Sequence, residues 1–260
     1  MTSSLEIWTS TMENDILGYD HENKEFGIAI CSAIPCVGEY FAFGDGSAGV
    51  IAAQGSCNPY NGLKSINFLK EGSSPSEIIA KLKDSDELIQ KRQIAIISNC
   101  GLMTCFTGEN LGNGVKGHII GKNFIACGNT LEDLNTLNIM KDTFEKSNEK
   151  SLYLKLLHAL KMGDSTEADI RGRQSAGLHV YSIKNDYPII KVNIDDDINP
   201  VKSLEEKVAN FIRSFYQIIP FFPQRDGKQI SPKTNSKEEK IFAEFKKNVL
   251  IRNFQFEKNI

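Results

Sequence analysis

Two arginine residues that flank a single glycine form the most distinctive polar segment of the chain. Arg171 and Arg173 stand between Asp169 and Gln174, directly before an apolar run. An arginine guanidinium group presents paired N–H donors that match the geometry of a carboxylate or a phosphate. The segment is interpreted either as a structural loop in which Asp169 neutralises the arginines, or as a loop that binds a substrate anion.

Amide side chains follow two apolar, strand-like runs, at positions where binding sites commonly form. Gln54 ends one such run and Asn129 ends another, while Asn58 follows Gln54 closely and precedes a proline. Amide N–H groups at such positions can stabilise an oxyanion. The alternative is structural, because Asn58 can cap a helix, and Asn129 or Thr130 can do the same.

The second residue of the chain is a threonine. Removal of the initiator methionine before a small residue would leave Thr2 with a free α-amino group beside its own hydroxyl. Such an amine has a pKa of about 7.7–8.0 and can act as the base for a side-chain nucleophile. Because many proteins begin with Met-Thr, this pattern predicts a nucleophile only when other features support it.

Several further motifs are interpreted as structural. Gly44–Gly49 matches the GxGxxG pattern of dinucleotide sites, but a strand-like run follows it instead of a helix, so we predict a turn between strands. The six cysteines include no CxxC pair, so no metal site is expected. Cys57 is a candidate nucleophile with no histidine near it in the sequence. His118, His158 and His179 are each expected to be structural.

The elements that must position these residues follow one another without a regular strand–helix alternation. Apolar runs bounded by turn residues predict strands over residues 26–31, 49–54, 93–98, 102–106, 118–126, 176–183 and 188–194. Apolar residues at helical spacing predict helices over residues 62–70, from 75 onward, and over 130–144, 151–162, 201–215 and 237–251. This order predicts an α+β layered sandwich over residues 1–220, followed by a polar linker and an amphipathic helical arm over residues 221–260.

The composition excludes several classes of protein. A formal net charge of −3 lacks the basic surplus that general nucleic-acid binding requires. No stretch approaches the roughly 20 apolar residues that cross a bilayer, and the first residues lack the basic and apolar regions of a secretory signal. We therefore expect a cytoplasmic protein with reduced cysteines, no membrane or nucleic-acid partner and no cofactor.

Taken in order, several segments resemble an uncharacterised bacterial and archaeal family known as DUF1028. Members of that family typically begin with Met-Thr-x-Ser-hydrophobic and carry an Asp-x-Arg-Gly-Arg-Gln-Ser-Ala loop. The corresponding segments of this chain are residues 1–5, 27–30, 58–62, 128–131 and 169–176, and the acidic turn at 195–196 with Pro200. The resemblance covers residues 1–215, and the loop at 169–176 is its most specific part.

The resemblance implies an N-terminal-nucleophile-hydrolase fold, which is a four-layer αββα sandwich. Enzymes of that fold cleave amide bonds with an N-terminal Thr, Ser or Cys. The resemblance thus implies Thr2 as the nucleophile and Asn129 as a catalytic amide. The residues expected to bind substrate are Gln54, Asn58, Asp169, Arg171, Arg173 and Gln174. The reaction of the family itself is unassigned, so the activity rests on likeness of fold.

Two alignments of the N-terminal segment with the family remain open. The first places Met1 at the start of the family pattern and makes residues 8–24 a long connection, where the family has a short turn. The second places Met12 there, leaves residues 1–11 as an extension and provides no threonine nucleophile. Asn61, which stands where the family usually has glycine, is a milder departure.

Two functions follow from this reasoning. The first is a hydrolase that cleaves an amide bond in a small molecule or small peptide with Thr2 as nucleophile. The second is a catalytically inactive protein that keeps the sandwich for binding or scaffolding and forms a homo-oligomer, expected to be a dimer, through its C-terminal arm.

Overall fold

We describe the protein from a computed structural model that covers residues 13–112, 114–166, 172–223, 225, 227–229, 236–237 and 239–247. Its strands are β1 (Glu13–Asp20), β2 (Glu25–Ser32), β3 (Ala42–Asp45), β4 (Gly49–Gly55), β5 (Arg92–Ser98), β6 (Met103–Thr107), β7 (Val115–Ile120), β8 (Phe124–Leu131), β9 (Ser175–Ser182) and β10 (Ile190–Ile194). Its helices are α1 (Val37–Tyr40), α2 (Pro59–Lys70), α3 (Pro75–Ser85), α4 (Asn135–Lys146), α5 (Leu152–Asp164) and α6 (Pro200–Ser214).

Strand β1 lies inside a six-stranded antiparallel sheet with the order β10-β9-β2-β1-β8-β7. A short turn at residues 21–24 joins it to β2, and β8 pairs along its other side. Glu13 therefore lies between Ser32 of β2 and Asn129 of β8. This central place buries β1 on both faces, from Asn14 to Tyr19.

The second sheet has four antiparallel strands in the order β3-β4-β5-β6. The glycine-rich motif at residues 44–49 forms the turn between β3 and β4, as the sequence predicted. Residues 99–102 form the turn between β5 and β6, also as predicted, and Gly101 there adopts a left-handed backbone with φ of 85°. Strands β6 and β7 thus each form an edge of their own sheet.

Apolar side chains from the two sheets pack against each other in the gap between them. Leu17 and Ile125 of the six-stranded sheet belong to one buried cluster with Val50 and Ala95 of the four-stranded sheet. Alternate residues of a strand point to the same face, so each strand sends every second side chain into this gap. Burying a Leu, Ile or Val side chain contributes about 1.5–3 kcal/mol, so this cluster holds the sheets together.

Helices cover the outer face of each sheet. On the six-stranded sheet, Gly18 of β1 lies so close to α5 that an added Cβ would stand 3.0 Å from Leu152 and 3.1 Å from Leu156. On the four-stranded sheet, Ile78 and Leu82 of α3 form a second buried cluster with residues of β4 and β5. The α+β class predicted from the sequence is confirmed.

Local capping explains where the helices on the four-stranded sheet begin. Ser74 accepts a hydrogen bond from the backbone N–H of Glu77, and the Glu77 carboxylate accepts one from the backbone N–H of Ser74. This reciprocal capping box, with Pro75 in the first turn, starts α3. In α2 the side chain of Asn58 accepts a hydrogen bond from the backbone N–H of Tyr60 at 3.1 Å.

The contacts divide the chain into two compact units, one ending at Glu205 and the other beginning at Glu206, whereas the sequence placed a boundary at residue 220. In the second unit, the ring centre of Phe215 lies 5.8 Å from that of Phe222 and 6.2 Å from that of Phe245. Residues 239–247 are helical, within the arm that the sequence predicted. Among the described residues, no helix has the length and apolar character needed to cross a membrane.

The structure corrects the predicted elements at three places. Residues 8–24, expected as a connection, contain strand β1. The single strand expected over residues 118–126 is a pair, β7 and β8, with a turn at residues 121–123. The helix expected from residue 130 begins only at Asn135, because β8 continues to Leu131. Neither Asn129 nor Thr130 is therefore a helix cap.

Candidate functional site

Polar side chains face each other across the gap between the sheets, near the end where β1 begins. In the six-stranded sheet, Asp15 is paired with Cys127, and Cys127 with His118. In the four-stranded sheet, Gln54 is paired with Gln93, and Gln93 with Thr107. Asn129 lies two residues from Cys127, and Cys105 two residues from Thr107, so each shares a strand face with that residue. We call the combined set the polar layer: Asp15, Cys127, Asn129 and His118 from one sheet, and Gln54, Gln93, Cys105 and Thr107 from the other.

Gln54 connects the two sheets at the centre of the polar layer. Its Nε2 donates a hydrogen bond to Oδ2 of Asp15 and lies 3.3 Å from Sγ of Cys127. Its Oε1 accepts a hydrogen bond from Nδ2 of Asn129 at 3.1 Å. Gln54 and Asn129, which the sequence selected separately, are therefore in direct contact, and both are buried.

Gln93 extends the network toward the edge strands. Its Nε2 lies 2.9 Å from Oγ1 of Thr107, 2.9 Å from the backbone oxygen of Gly117 and 3.1 Å from that of Gly128. Its Oε1 lies 3.4 Å from Nδ2 of Asn129. The amides of Gln54 and Gln93 are thus each held in a fixed orientation, Gln54 by partners on the six-stranded sheet and Gln93 by partners on both sheets.

Asp15 is a carboxyl group with no exposed surface. Burial raises its pKa well above the usual range, and the negative charge of Cys105 raises it further, against the hydrogen bond from Gln54. Its second oxygen, Oδ1, accepts no hydrogen bond from the described residues. The raised pKa favours the protonated carboxyl, which can donate a hydrogen bond as well as accept one.

A cysteine, a histidine and a threonine meet at the outer edge of the polar layer. Oγ1 of Thr107 and Nδ1 of His118 lie 2.8 Å apart. His118 also hydrogen-bonds Cys105, which raises the pKa of the imidazole despite partial burial. Burial alone would raise the pKa of the Cys105 thiol, but hydrogen bonds with Cys127, His118 and Thr107, and the charge of His118, lower it to about 6. The pair therefore favours thiolate and imidazolium forms.

A bulge in β8 lies within the polar layer. Val115 pairs with Leu131 but Gly117 pairs with Gly128, so β8 has one residue more than β7 over this stretch. The extra length coincides with Thr130, whose φ of 56° is left-handed and unusual for a residue with a branched Cβ. Such bulges redirect neighbouring side chains, and here the neighbour is Asn129.

The loop that carries the two arginines reaches the same end of the six-stranded sheet. The backbone N–H of Gln174 donates to the backbone oxygen of Ser32, the residue paired with Glu13 at the start of β1. The side chain of Gln174 donates to Asp196 at 3.0 Å. Arg173 binds Asp164, with Nε 2.7 Å from Oδ1, so Asp164 is one internal partner of the arginine pair.

Other predicted site residues have different surroundings. Asn58 caps α2, as its structural alternative predicted, and the thiol of Cys57 lies 3.5 Å from the backbone oxygen of Ala53. Thr2, Asp169 and Arg171 lie outside the described residues. Within the described residues, no group of three or more His, Cys, Asp or Glu side chains is placed to hold a metal ion.

Sequence reasoning missed most of the polar layer. It did not recognise β1, and so did not select Asp15. It treated His118 as structural because the histidines are scattered along the sequence. Cys105 and Thr107 lie 13 and 11 positions before His118, on a different strand, so their contact is not visible in the sequence. One signal was available for Gln93: it opens an apolar strand-like run, just as Gln54 ends the preceding one.

Comparison with known proteins gives a family and a fold. A sequence model of a family of unknown function, DUF1028, matches residues 15–204. The crystal structure of protein SPO2555 from Silicibacter pomeroyi, which carries the same family designation, is similar with a TM-score of 0.77 and 27% identity. The similarity covers 85% of this chain and 100% of that chain. No curated protein matches this chain.

Proposed function

Because the chain belongs to DUF1028, a family of unknown function, we propose that it is a hydrolase of amide bonds in small molecules or small peptides. The proposal includes a four-layer αββα sandwich of the N-terminal-nucleophile type. The single observation that carries it is the polar layer, in which buried amides and a carboxyl lie between the sheets beside the start of β1. Hydrolases of this kind use the start of a strand as the nucleophile position and fixed dipoles beside it.

In this proposal Thr2, freed by removal of Met1, attacks the carbonyl carbon of the scissile amide. Its α-amino group accepts the hydroxyl proton and then delivers it to the leaving nitrogen. The ten residues from Ser3 to Met12 can span about 33 Å when extended, which is enough to bring Thr2 to any part of the polar layer. Asn129, held at the bulge, supplies an amide dipole near the developing oxyanion.

The same proposal assigns substrate contacts to the predicted binding residues. Arg173 and Gln174 lie at the end of the six-stranded sheet where β1 begins, since Gln174 bonds the backbone of Ser32. With Arg171 and Asp169 they form the proposed carboxylate-binding loop, and Gln54 and Asn58 contact the rest of the substrate. No cofactor enters the reaction.

The test combines mass spectrometry with a hydrolysis assay. Intact mass shows whether Met1 is removed. Release of p-nitroaniline from a panel of acyl and aminoacyl p-nitroanilides then measures turnover for wild type, Thr2→Ala and Thr2→Ser. We expect turnover in the wild type, loss of at least a hundredfold in Thr2→Ala, and partial retention in Thr2→Ser. Retained Met1, or full activity of Thr2→Ala, would refute the mechanism.

A second candidate function is binding or scaffolding without catalysis. The observation that favours it is the position of β1, which begins at Glu13 and continues through a short turn into β2. That connection matches the alignment that starts at Met12 and provides no threonine nucleophile. Under this alternative the protein is a cytoplasmic homodimer joined by residues 221–260. Light scattering of the full chain and of a chain ending at residue 220 tests it. If both form particles with the same number of chains, residues 221–260 do not hold the dimer together.

A further inference from the structure

The polar layer has an open side, and its most reactive groups lie there. Strands β6 and β7 are the edges of their sheets, so the gap between the sheets ends at these two strands. Cys105 and Thr107 are partly exposed and His118 is exposed, whereas Gln54, Gln93 and Asn129 behind them are buried. Cys105 therefore lies closer to solvent than the buried amides, although it also packs against the apolar core.

We propose that Cys105, paired with His118, is a nucleophilic thiol that accepts the acyl group of a small amide or ester at this open edge. The site is independent of Thr2, since the nucleophile, the histidine and the residue that orients it belong to β6 and β7. It therefore stands whether or not the N-terminal threonine acts as a nucleophile.

The geometry supplies each part that a cysteine nucleophile needs. His118 hydrogen-bonds Cys105 and can exchange a proton with it. Thr107 lies 2.8 Å from Nδ1 of His118 and so fixes the ring, in the role of the orienting third group. Gln93 in turn holds Thr107 through a 2.9 Å hydrogen bond. Thr107 and Gln93 are positioning residues because they act through His118.

A second observation points to a ligand beside this cysteine. Oδ1 of Asp15 is fully buried and has no hydrogen-bond partner among the described residues, although its carboxyl is in electrostatic contact with Cys105. Buried polar atoms are nearly always satisfied, so an unsatisfied one marks a place where a polar group of a bound molecule can compensate. An acyl oxygen or leaving-group N–H at Cys105 is such a group.

The electrostatics agree with the geometry. The titratable groups that face Cys105 are His118, Cys127 and Asp15. Burial acts to raise the pKa of the thiol, but hydrogen bonds with Cys127, His118 and Thr107, together with the charge of His118, lower it to about 6. Between Asp15 and Cys105 the negative charges repel, which raises the pKa of Asp15 and favours its neutral form. The thiolate is the nucleophilic form, so Cys105 is reactive below neutral pH, where ordinary thiols are protonated.

The proposed reaction balances with water as the only co-reactant. The Cys105 thiolate attacks the carbonyl carbon, a C–S bond forms, and the C–N or C–O bond breaks. His118 delivers its proton to the leaving nitrogen or oxygen. The neutral imidazole then takes a proton from water, which attacks the thioester, and the C–S bond breaks to release the acid and restore the thiolate–imidazolium pair.

The experiment uses p-nitrophenyl acetate with the full chain in a Thr2→Ala background, so that an N-terminal threonine cannot contribute. We expect a burst of one equivalent of p-nitrophenolate and an acetyl group mapped to Cys105 by peptide mass spectrometry. Cys105→Ser should abolish the burst. Cys100→Ser, which changes an exposed cysteine on the β5–β6 turn, is the matched control and should leave it unchanged.

The pH profile separates a nucleophilic pair from an accidentally accessible thiol. The burst rate should be half-maximal near pH 6 in the wild type. His118→Gln should lower the rate about a hundredfold at pH 6 and move the midpoint toward about 8.5. Thr107→Val should shift the midpoint in the same direction, and Thr107→Ser should restore it.

Three results would overturn the proposal. The first is an acetyl group found on lysines but absent from Cys105. The second is a full burst in folded Cys105→Ser, with folding checked by circular dichroism. The third applies even if that variant does not fold: a pH midpoint unchanged in His118→Gln shows that the histidine does not activate the thiol. None of these results bears on Thr2, whose test uses p-nitroanilides and the threonine variants.

Discussion

Gln54 reaches across the gap between the two sheets and donates a hydrogen bond to Asp15, a carboxyl group with no exposed surface. The two residues are 39 positions apart in the sequence and belong to different sheets. This bond fixes one oxygen of the carboxyl and leaves the other without a protein partner among the described residues. The apolar cluster next to this bond holds the sheets together. At the end where β1 begins, the hydrogen bonds of the polar layer fix the orientations of the polar side chains between the sheets.

Asp15→Asn should make the protein less sensitive to alkaline pH. The folded pKa of Asp15 is raised above its unfolded value, chiefly by burial. As pH rises above the unfolded value, the unfolded chain releases its proton while the folded chain keeps it, so stability falls. Asparagine still accepts the Gln54 hydrogen bond and does not titrate. The free energy of unfolding, measured by urea titration, should therefore rise relative to wild type between pH 4 and pH 8.

Asp20→Asn on the same strand is the matched control for this prediction. Burial acts to raise the pKa of Asp20, but hydrogen bonds from Asn23 and Glu22 outweigh it and lower the pKa. Its folded carboxylate therefore stabilises the wild-type protein above the unfolded pKa. Relative to wild type, the free energy of unfolding of Asp20→Asn should fall as pH rises, which is opposite to Asp15→Asn. A pH-independent difference between Asp15→Asn and wild type would contradict the protonated state of Asp15.

His179 should make the protein sensitive to acid. It is buried in β9, with Nε2 2.7 Å from Oδ1 of Asn193 and Nδ1 without a partner among the described residues. Burial lowers its pKa to about 4, and Lys191 acts in the same direction. Between pH 6.5 and about pH 4 this histidine binds a proton in the unfolded chain but not in the folded chain. The free energy of unfolding therefore falls by about 3 kcal/mol across this window.

Two variants test the role of His179. His179→Gln should cost about 1–2 kcal/mol at pH 8, where it disturbs a buried hydrogen bond, and should flatten the loss between pH 6.5 and 4. Asn193→Asp should raise the pKa of His179, because a carboxylate stabilises the imidazolium, and should make the acid loss smaller, because the folded chain then takes up its proton closer to pH 6.5. If thermal melting of wild type is the same at pH 6.5 and pH 4.5, His179 is not held neutral.

The sequence predicted the positions of Gln54 and Asn129 because each ends an apolar strand-like run, and both belong to the polar layer. It could not predict their contact, since this depends on how two sheets stack. Strand β1 was missed for a physical reason: Asn14 and Asp15 are polar yet buried, so the start of the strand has the pattern of a loop. A buried polar pair is recognisable only when its partners across the gap are known.

The false helix start at residue 130 has a similar origin. Leu131, Leu134 and Leu137 have helical spacing, but Leu131 is buried at the end of β8 and only Leu137 lies in α4. Apolar residues that end one element and begin the next can thus imitate a single helix. The bulge at Thr130 is invisible in the sequence, because a left-handed threonine is normally unfavourable.

Asp86→Asn should weaken the contact between α2 and the start of β5. Asp86 accepts a hydrogen bond from Nδ2 of Asn61 at 2.6 Å and one from Nε of Arg92 at 3.1 Å. Burial acts to raise the pKa of Asp86, but these bonds outweigh it and lower the pKa. The ionised carboxylate therefore stabilises the protein at pH values above its unfolded pKa. This stabilisation is lost as pH falls through the folded pKa.

The expected loss in Asp86→Asn is about 2–3 kcal/mol at pH 7, somewhat below that of a fully buried pair because solvent screens part of the charge. Urea titration should show the difference from wild type shrinking toward pH 3. Asn61→Gly, which installs the residue usual in the family, should remove the 2.6 Å bond and lower stability while leaving the Arg92 pair in place. Asp142→Asn on the exposed face of α4 is the control and should change little. Equal losses in Asp86→Asn and Asp142→Asn would show that the Asp86 contact does not stabilise the fold.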